Sequence, residues 1–209
     1  LGQHYADFKK LCPHEPFLQY SVRELLPLLV SADARILELG TGTGNTLKEI
    51  ITVCPSAQVT TVDISSVMIS QAKEQVGVSP NITYVEADIA NFLQAQPSRS
   101  YDCVVSAFTL HNLDEPQRGN VLHEVARVLR AGGWVIFADK FDYGHRAIDD
   151  HVLVQEFAFF RTVGQREGLQ SLVEEWVAHY HADAQISRSL QGEIKLLKNL
   201  GFHNFNLYF

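Results

Sequence analysis

The stretch Glu38-Leu39-Gly40-Thr41-Gly42-Thr43-Gly44-Asn45, placed directly after the apolar-rich run Arg35–Leu39, restricts this chain more than any other. Glycines in the middle of a strand or helix weaken it. At the junction between the two they permit a tight turn and let a ligand approach the backbone at the N-terminus of the next helix. The segment Thr43–Val53 carries apolar residues at helical spacing, so the expected unit is strand, glycine turn, helix. A dinucleotide fingerprint needs glycines at its first, third and sixth positions. Counted from Gly40, the sixth position is Asn45 and the third glycine comes one residue early at Gly44, which argues against NAD. The carboxylate of Glu38, two residues before the first glycine, would repel a pyrophosphate and suits a ligand that carries an ammonium group.

The rest of the chain repeats the same unit. Strand-like runs at Arg35–Leu39, Gln58–Val62, Ile82–Glu86, Tyr101–Ala107 and Trp134–Ala138 alternate with helix-period segments. Those segments are Thr43–Val53, Ser66–Val76, Ile89–Gln94 and Pro116–Leu129, the last ended by Gly132-Gly133. This order predicts an α/β, doubly wound, mostly parallel sheet with helices on both faces. Such sheets bind ligands beyond the carboxyl ends of their strands, near the topological switch point. After Ala138 the alternation stops, and residues 146–182 read as helical, an insertion after the fifth strand. A final helix at about 188–200 leads through Gly201 into strand-like Phe202–Phe209, and residues 4–30 read as one or two helices.

Composition removes several function classes. Seventeen Lys and Arg against 24 Asp and Glu give a formal charge of −7, and the only adjacent basic pair is Lys9-Lys10, so nucleic acid is not the expected partner. No apolar window is long enough to span a membrane. Cys12, Cys54 and Cys103 are widely spaced without a metal-ligand pattern, and Cys103 sits in an apolar run as a small core residue. His179 and His181 are two apart, which does not suit helical metal ligation, so no metal is expected. A reducing cytoplasm fits this cysteine usage.

Two further acids fall at strand ends. Asp63 follows Val62, 23 residues after Gly40, where it could accept hydrogen bonds from a ribose diol; Asp88 follows the third strand, where it could accept from an adenine amino group. Each also suits a helix N-cap. With Glu38, these acids mark the ends of three successive strands.

On these residues, and on Tyr101–Ser106 and Leu129-Arg130-Ala131-Gly132-Gly133-Trp134, the chain resembles the class I S-adenosylmethionine-dependent methyltransferases of small-molecule type, over roughly residues 35–140. Ala131 stands where the family's LxPGG segment usually has proline. The resemblance implies a Rossmann-like fold and S-adenosylmethionine as cofactor, with S-adenosylhomocysteine as product. Glu38 and the backbone of Gly40, Thr41 and Gly42 would hold the methionine portion, Asp63 the ribose and Asp88 the adenine. Ile64, Met68 and Ile89 would flank the adenine, although Met68 also suits a plain core position, and Ala107 would line the same site.

The segment Ser106–Leu113 would then pass beside the sulfonium and open toward the acceptor. Many relatives of this type carry a His-His pair where this chain has His111-Asn112. His111 could orient or deprotonate an acceptor, or pack as a histidine bonded to a neighbour. No Asp-Pro-Pro-Tyr or Asn-Pro-Pro-Tyr motif is present, which again disfavours nucleic-acid bases. Phe157, Phe159, Phe160, Trp176 and Tyr180 could cap the acceptor pocket or form a small helical bundle. Arg146, Arg161 and Arg166 could meet an anionic acceptor or lie in solvent, and Asp139, Lys140 and Asp142 lie at the sheet edge suited to substrate contact.

The expectation is therefore a single domain over 1–209. It divides into an N-terminal helical cap (1–34), a cofactor-binding core (35–140), a helical lid (141–186) and a C-terminal helix and strand (187–209). Its expected activity is methyl transfer to a small-molecule acceptor, and it could pair as a homodimer. The segment from Phe108 through Phe141, with the long helices after it, is also similar to carboxy-S-adenosylmethionine synthase, which modifies the cofactor itself. A third reading is a non-catalytic cofactor-binding subunit. The fold normally closes on a hairpin of two strands, so residues beyond Phe209 are expected, and Leu1 is not an initiator.

Overall fold

The computed structural model describes residues 15–183 and 189–207. Helix α1 (Glu15–Leu29) precedes β1 (Arg35–Leu39), α2 (Asn45–Val53), β2 (Gln58–Asp63), α3 (Ser66–Val76), β3 (Ile82–Glu86), α4 (Ile89–Ala95) and β4 (Tyr101–Ala107). A 3-10 turn at Leu110–Asn112 leads to α5 (Glu115–Val128), β5 (Leu129–Ala138), α6 (Arg146–Glu167), α7 (Gln170–Asp183) and α8 (Leu190–Asn199). The five strands form one sheet in the order β3-β2-β1-β4-β5, every pairing parallel. The predicted α/β doubly wound, Rossmann-like architecture is thus observed, with the switch point between β1 and β4.

Period-two alternation explains why β1 sits in the middle. Ile36 packs with Val22 and Leu26 of α1 and Leu47 and Ile50 of α2 on one face. Leu37 and Leu39 pack with Leu93 of α4 and Val121, Leu122 and Val125 of α5 on the other. All of these side chains are fully or almost fully buried, each stabilising the fold by about 1.5–3 kcal/mol. Cys103 lies within the first of these layers, and burial pushes its thiol up to about 12, so it behaves as an apolar residue.

Local chemistry sets the helix starts. Asp114 caps α5 by accepting from the Gln117 N–H at 2.9 Å, and the Gln117 side chain returns the bond to the Asp114 N–H at 3.3 Å. The helix ends at Val128, before the Gly132-Gly133 pair expected to stop it, because Leu129 already pairs with Tyr101. The ladder resumes at Trp134 against Cys103, so residues 130–133 form the irregularity between the two pairings.

The C-terminal strand expected at Phe202–Phe209 does not form over its described part: residues 202–207 carry no strand pairing. Asn204 adopts a left-handed φ of 59°, which breaks an extended run, and Phe202 and Phe205 pack on the core from an irregular segment. Tyr208, Phe209, Cys12 and residues 4–14 of the expected N-terminal helices lie outside the described residues.

The insertion after β5 is helical as expected. Helices α6 and α7 form their own cluster of Phe157, Phe160, Val163, Leu172, Val173, Trp176, Val177 and Tyr180. They cross closely at Gly164, where an added Cβ would lie 2.3 Å from Val173 Cγ2. Phe108, the residue after β4, packs against this cluster, and Lys140 Nζ sits 3.4 Å from the Tyr180 ring centroid. Among the described residues no helix is long and apolar enough to cross a membrane.

Candidate functional site

A cleft of about 710 Å³ opens at the carboxyl ends of β1, β2, β3 and β4, at the switch point. Its volume suits a ligand of cofactor size. Of the residues named from sequence, Gly40, Thr41, Gly42, Asp63, Ile64, Met68, Asp88, Ile89 and Ala107 all line it.

The glycine turn is built as its composition demands. Gly40, Gly42 and Gly44 have φ of 82°, 50° and 88°, a region closed to most side chains. At Gly40 space adds to conformation, because a Cβ would fall 2.0 Å from Thr109 Oγ1. The turn hangs from β2, with the Gly40 and Thr41 N–H groups donating to Val62 O at 2.8 and 3.1 Å.

The acids do more local work than the sequence suggested. Asp63 accepts from the Gly42 N–H and the Ser65 N–H, both at 2.9 Å, so it pins the turn while facing the cleft. Asp88 caps α4 by accepting from the Asn91 N–H at 3.0 Å and also lines the cleft. Cap and lining position therefore coincide.

Glu38 lies beneath the turn and is fully buried, not part of the lining. The Thr61 hydroxyl donates to its Oε2, and the Thr41 hydroxyl lies 2.5 Å from that of Thr61. Its other oxygen, Oε1, has no hydrogen-bond partner among the described residues. Desolvation, partly offset by the Thr61 bond, pushes the Glu38 carboxyl up to about 8. An orphaned buried acceptor costs about 1–3 kcal/mol until a donor arrives. A glycine turn above such an acceptor fits a ligand that brings an ammonium group.

The acceptor side is built differently. Phe108, Thr109, Asn112 and Leu113 line the cleft, whereas His111 is not among the lining residues. Its Nδ1 lies 2.5 Å from Asp139 Oδ1, and its side chain is 12% exposed. Asp139, the residue after β5, meets Arg118 Nη1 at 3.5 Å through Oδ2. Arg118 of α5, itself fully buried, grips Glu193 of α8 through Nε at 3.0 and 3.1 Å and Nη2 at 2.5 Å. Burial disfavours the charged Asp139 carboxylate. The His111 hydrogen bond, Arg118 and the Lys140 N–H outweigh this and hold it below the usual carboxylate range.

Several sequence candidates sit away from the cleft. None of Phe157, Phe159, Phe160, Trp176 and Tyr180 lines it; all but Phe159 are buried in the α6–α7 cluster. Arg146, Arg161 and Arg166 are exposed and pair with Asp150, Glu174 and Glu167. Sequence reasoning missed Thr61, Thr109, Arg118 and Glu193. A threonine in a strand and an arginine near the start of an amphipathic helix carry no local signal, and Arg118 and Glu193 are 75 residues apart.

Known proteins bear on this geometry. Residues 36–133 match the family model described as a methyltransferase domain. A malonyl-[acyl-carrier protein] O-methyltransferase of Ilyobacter polytropus is 32% identical over 49% of this chain and 37% of its own length. A ubiquinone/menaquinone biosynthesis C-methyltransferase of Hahella chejuensis is 37% identical over 50% of this chain and 42% of its own length. The chain thus spans well under half the length of both relatives. Among solved structures, a SAM-dependent methyltransferase from Archaeoglobus fulgidus superimposes with a TM-score of 0.66 at 15% identity, covering 96% of this chain and 75% of that one. Fold and cleft together give a cavity of cofactor size at the switch point of a doubly wound sheet. More particularly, residues 36–133 are similar to the methyltransferase domain family, a match over just under half of the chain.

Proposed function

We propose that this chain transfers a methyl group from S-adenosylmethionine to a small organic acceptor. The observation that carries this is the pinned glycine turn. Gly42 is held on Asp63, above the orphaned oxygen of Glu38 and beside Asp88, and the turn and both aspartates line one cleft at the switch point.

The residues divide the ligand between them. Glu38 and the turn Gly40-Thr41-Gly42 suit the amino-acid end, Asp63 the ribose hydroxyls, and Asp88 the adenine amino group. Ile64, Met68 and Ile89 offer apolar surface beside the last, and Ile64 is 73% exposed, open to be covered by a planar base. When bound, the cofactor supplies a methyl group already activated by sulfonium charge. The protein's task is then positioning and exclusion of water, with a base only where the acceptor must lose a proton. Phe108, Asn112 and Leu113 form the wall on that side, and the candidate base His111 lies outside the lining, bonded to Asp139. The names of the two relatives, a malonyl-[acyl-carrier protein] O-methyltransferase and a C-methyltransferase of ubiquinone/menaquinone biosynthesis, support an organic acceptor in preference to a nucleic acid.

Calorimetric titration with S-adenosylhomocysteine tests the reading. Binding in the ~micromolar range is expected, weakened at least about tenfold, or ~1.4 kcal/mol, by Asp63→Ala. No detectable binding by the unmodified chain, or unchanged affinity in the variant, overturns it. Consumption of methyl-labelled cofactor across a panel of carboxylic acids, phenols and amines then identifies the acceptor.

A further inference from the structure

We propose that Thr61 and Thr41 are further positioning residues for the ammonium group of the cofactor, joined to Glu38 in a chain of hydrogen bonds, so that binding releases the Glu38 proton to solvent. The inference rests on the cofactor reading above, which puts the amino-acid end of the ligand over the glycine turn.

The three side chains come from two strands and the turn between them and the cleft. Parallel pairing sets Thr61 of β2 against Glu38 of β1, and the Thr61 hydroxyl meets Glu38 Oε2. The Thr41 hydroxyl lies 2.5 Å from that of Thr61. Glu38 and Thr61 are fully buried, whereas Thr41 lines the cleft. The chain thus runs from a sealed carboxyl to a surface that a ligand touches. Thr41 cannot swing away, because its own N–H and that of Gly40 are held on Val62 O and that of Gly42 on Asp63.

Each hydroxyl has one proton to give, which leaves the chain two polarities. With Glu38 ionised, Thr61 donates to Oε2, Thr41 donates to Thr61, and Thr41 turns only lone pairs toward the cleft. With Glu38 protonated on Oε2, the carboxyl donates to Thr61, Thr61 donates to Thr41, and Thr41 turns its hydrogen outward. A proton on Oε1 finds no partner among the described residues. The first polarity accepts from an ammonium group. The second sets one donor against another.

At neutral pH the ligand-free chain rests in the second polarity. Burial pushes the Glu38 carboxyl up to about 8 against the pull of Thr61, with Asp63 adding to the rise and the Leu47 N–H at the start of α2 opposing it. Tyr84 of β3 also feels the Glu38 charge, and its hydroxyl donates to Gly77 O at 2.8 Å. On the other flank, the β4 residue paired with Glu38 is the apolar Val105. Among the described residues no cation acts on Glu38, so its counter-charge arrives with the ligand. An ammonium ligand and a protonated Glu38 then give the bound ammonium, a Glu38 carboxylate and one proton in solvent.

Calorimetric titration with S-adenosylhomocysteine, in buffers of different ionisation enthalpy, counts the protons released. About one per ligand is expected at pH ~6.5, with affinity rising about tenfold per pH unit until the Glu38 value is reached and levelling above it. Methylthioadenosine, which keeps the nucleoside and lacks the amino-acid end, should bind without that release. Thr61→Val keeps the shape of the side chain and breaks the chain of hydroxyls. It should cut the release below about one-tenth of a proton and flatten the pH dependence, and Glu38→Gln should do the same. Were Thr61 only structural, Thr61→Val would lower stability and leave the proton count intact, and that result overturns the proposal. Release that persists in Glu38→Gln overturns it as well. Should either buried substitution fail to fold, Thr41→Val, at the cleft end of the chain, decides by the same count. Binding of S-adenosylhomocysteine without proton release removes this inference alone, whereas no binding at any pH removes the cofactor reading and the inference with it.

Discussion

The two halves of the sheet's carboxyl edge hold their functional groups by different means. On the β1-β2-β3 side, backbone N–H donors do the work: Asp63 receives them from Gly42, 21 residues away, and from Ser65, and Asp88 receives one three residues ahead. On the β4-β5 side, buried side chains far apart in sequence hold one another, His111 with Asp139 and Arg118 with Glu193. Backbone donors are rigid and tolerate change around them. A buried ion relay is all-or-none, since removing one member strands a charge.

The comparison can be broken most forcefully at Arg118. Arg118→Ala leaves two buried carboxylates without their cation, and a loss of about 3–5 kcal/mol is expected in urea unfolding. A loss below 1 kcal/mol would place the relay among ordinary surface pairs. Next comes Gly40→Ala, expected to cost about 2–3 kcal/mol from backbone strain and the Thr109 overlap together. Adding Thr109→Ala should restore only the share due to overlap, which separates the two causes in the same unfolding experiment.

Glu38 gives a pH signature that the relay does not share. Its folded value, about 8, exceeds the unfolded 4.5, so the folded state holds a proton that the unfolded state has lost. Stability of the ligand-free chain should therefore fall as pH rises through that window, by up to about 1.4 kcal/mol per unit, and level off above it. Glu38→Gln should flatten this slope in thermal unfolding followed across pH; an unchanged slope would assign it to other groups. The smallest effect belongs to Asp88→Ala, which loses a helix cap worth about 1 kcal/mol while the sheet stays intact. A loss above about 3 kcal/mol would show that this side, too, depends on long-range contacts.

The same division explains what the sequence could tell. Asp63, Asp88 and the glycines were legible because strand ends, helix starts and a left-handed turn need particular residue types, although the bond from Gly42 to Asp63 spans 21 residues. The strand alternation likewise predicted the parallel sheet, since each helix and strand states its own period. Thr61 and the pairing of Arg118 with Glu193 were not legible. Their meaning lies in what the fold places opposite them, and Asp139 stood equal to Lys140 and Asp142 until β5 was seen to carry it against His111. Of the two alternatives read for the aromatic residues of α6 and α7, the small helical bundle is the one that forms, and only the packing of Phe108 against it was not legible. The strand predicted after Gly201 failed on one residue, Asn204, whose left-handed backbone no apolar pattern announces.

The central position of β1 also dictates an order of assembly. Its β2 neighbour is made soon after it, but its β4 neighbour lies far ahead in the chain, with Ile36 set against Cys103. On a ribosome, the first three strands can associate while one flank of β1 is still an unpaired edge. The residues of the glycine turn are therefore made well before Thr109, the side chain that lies against Gly40. The cleft acquires its second wall only when β4 docks, a pairing of greater sequence separation than that of β1 with β2.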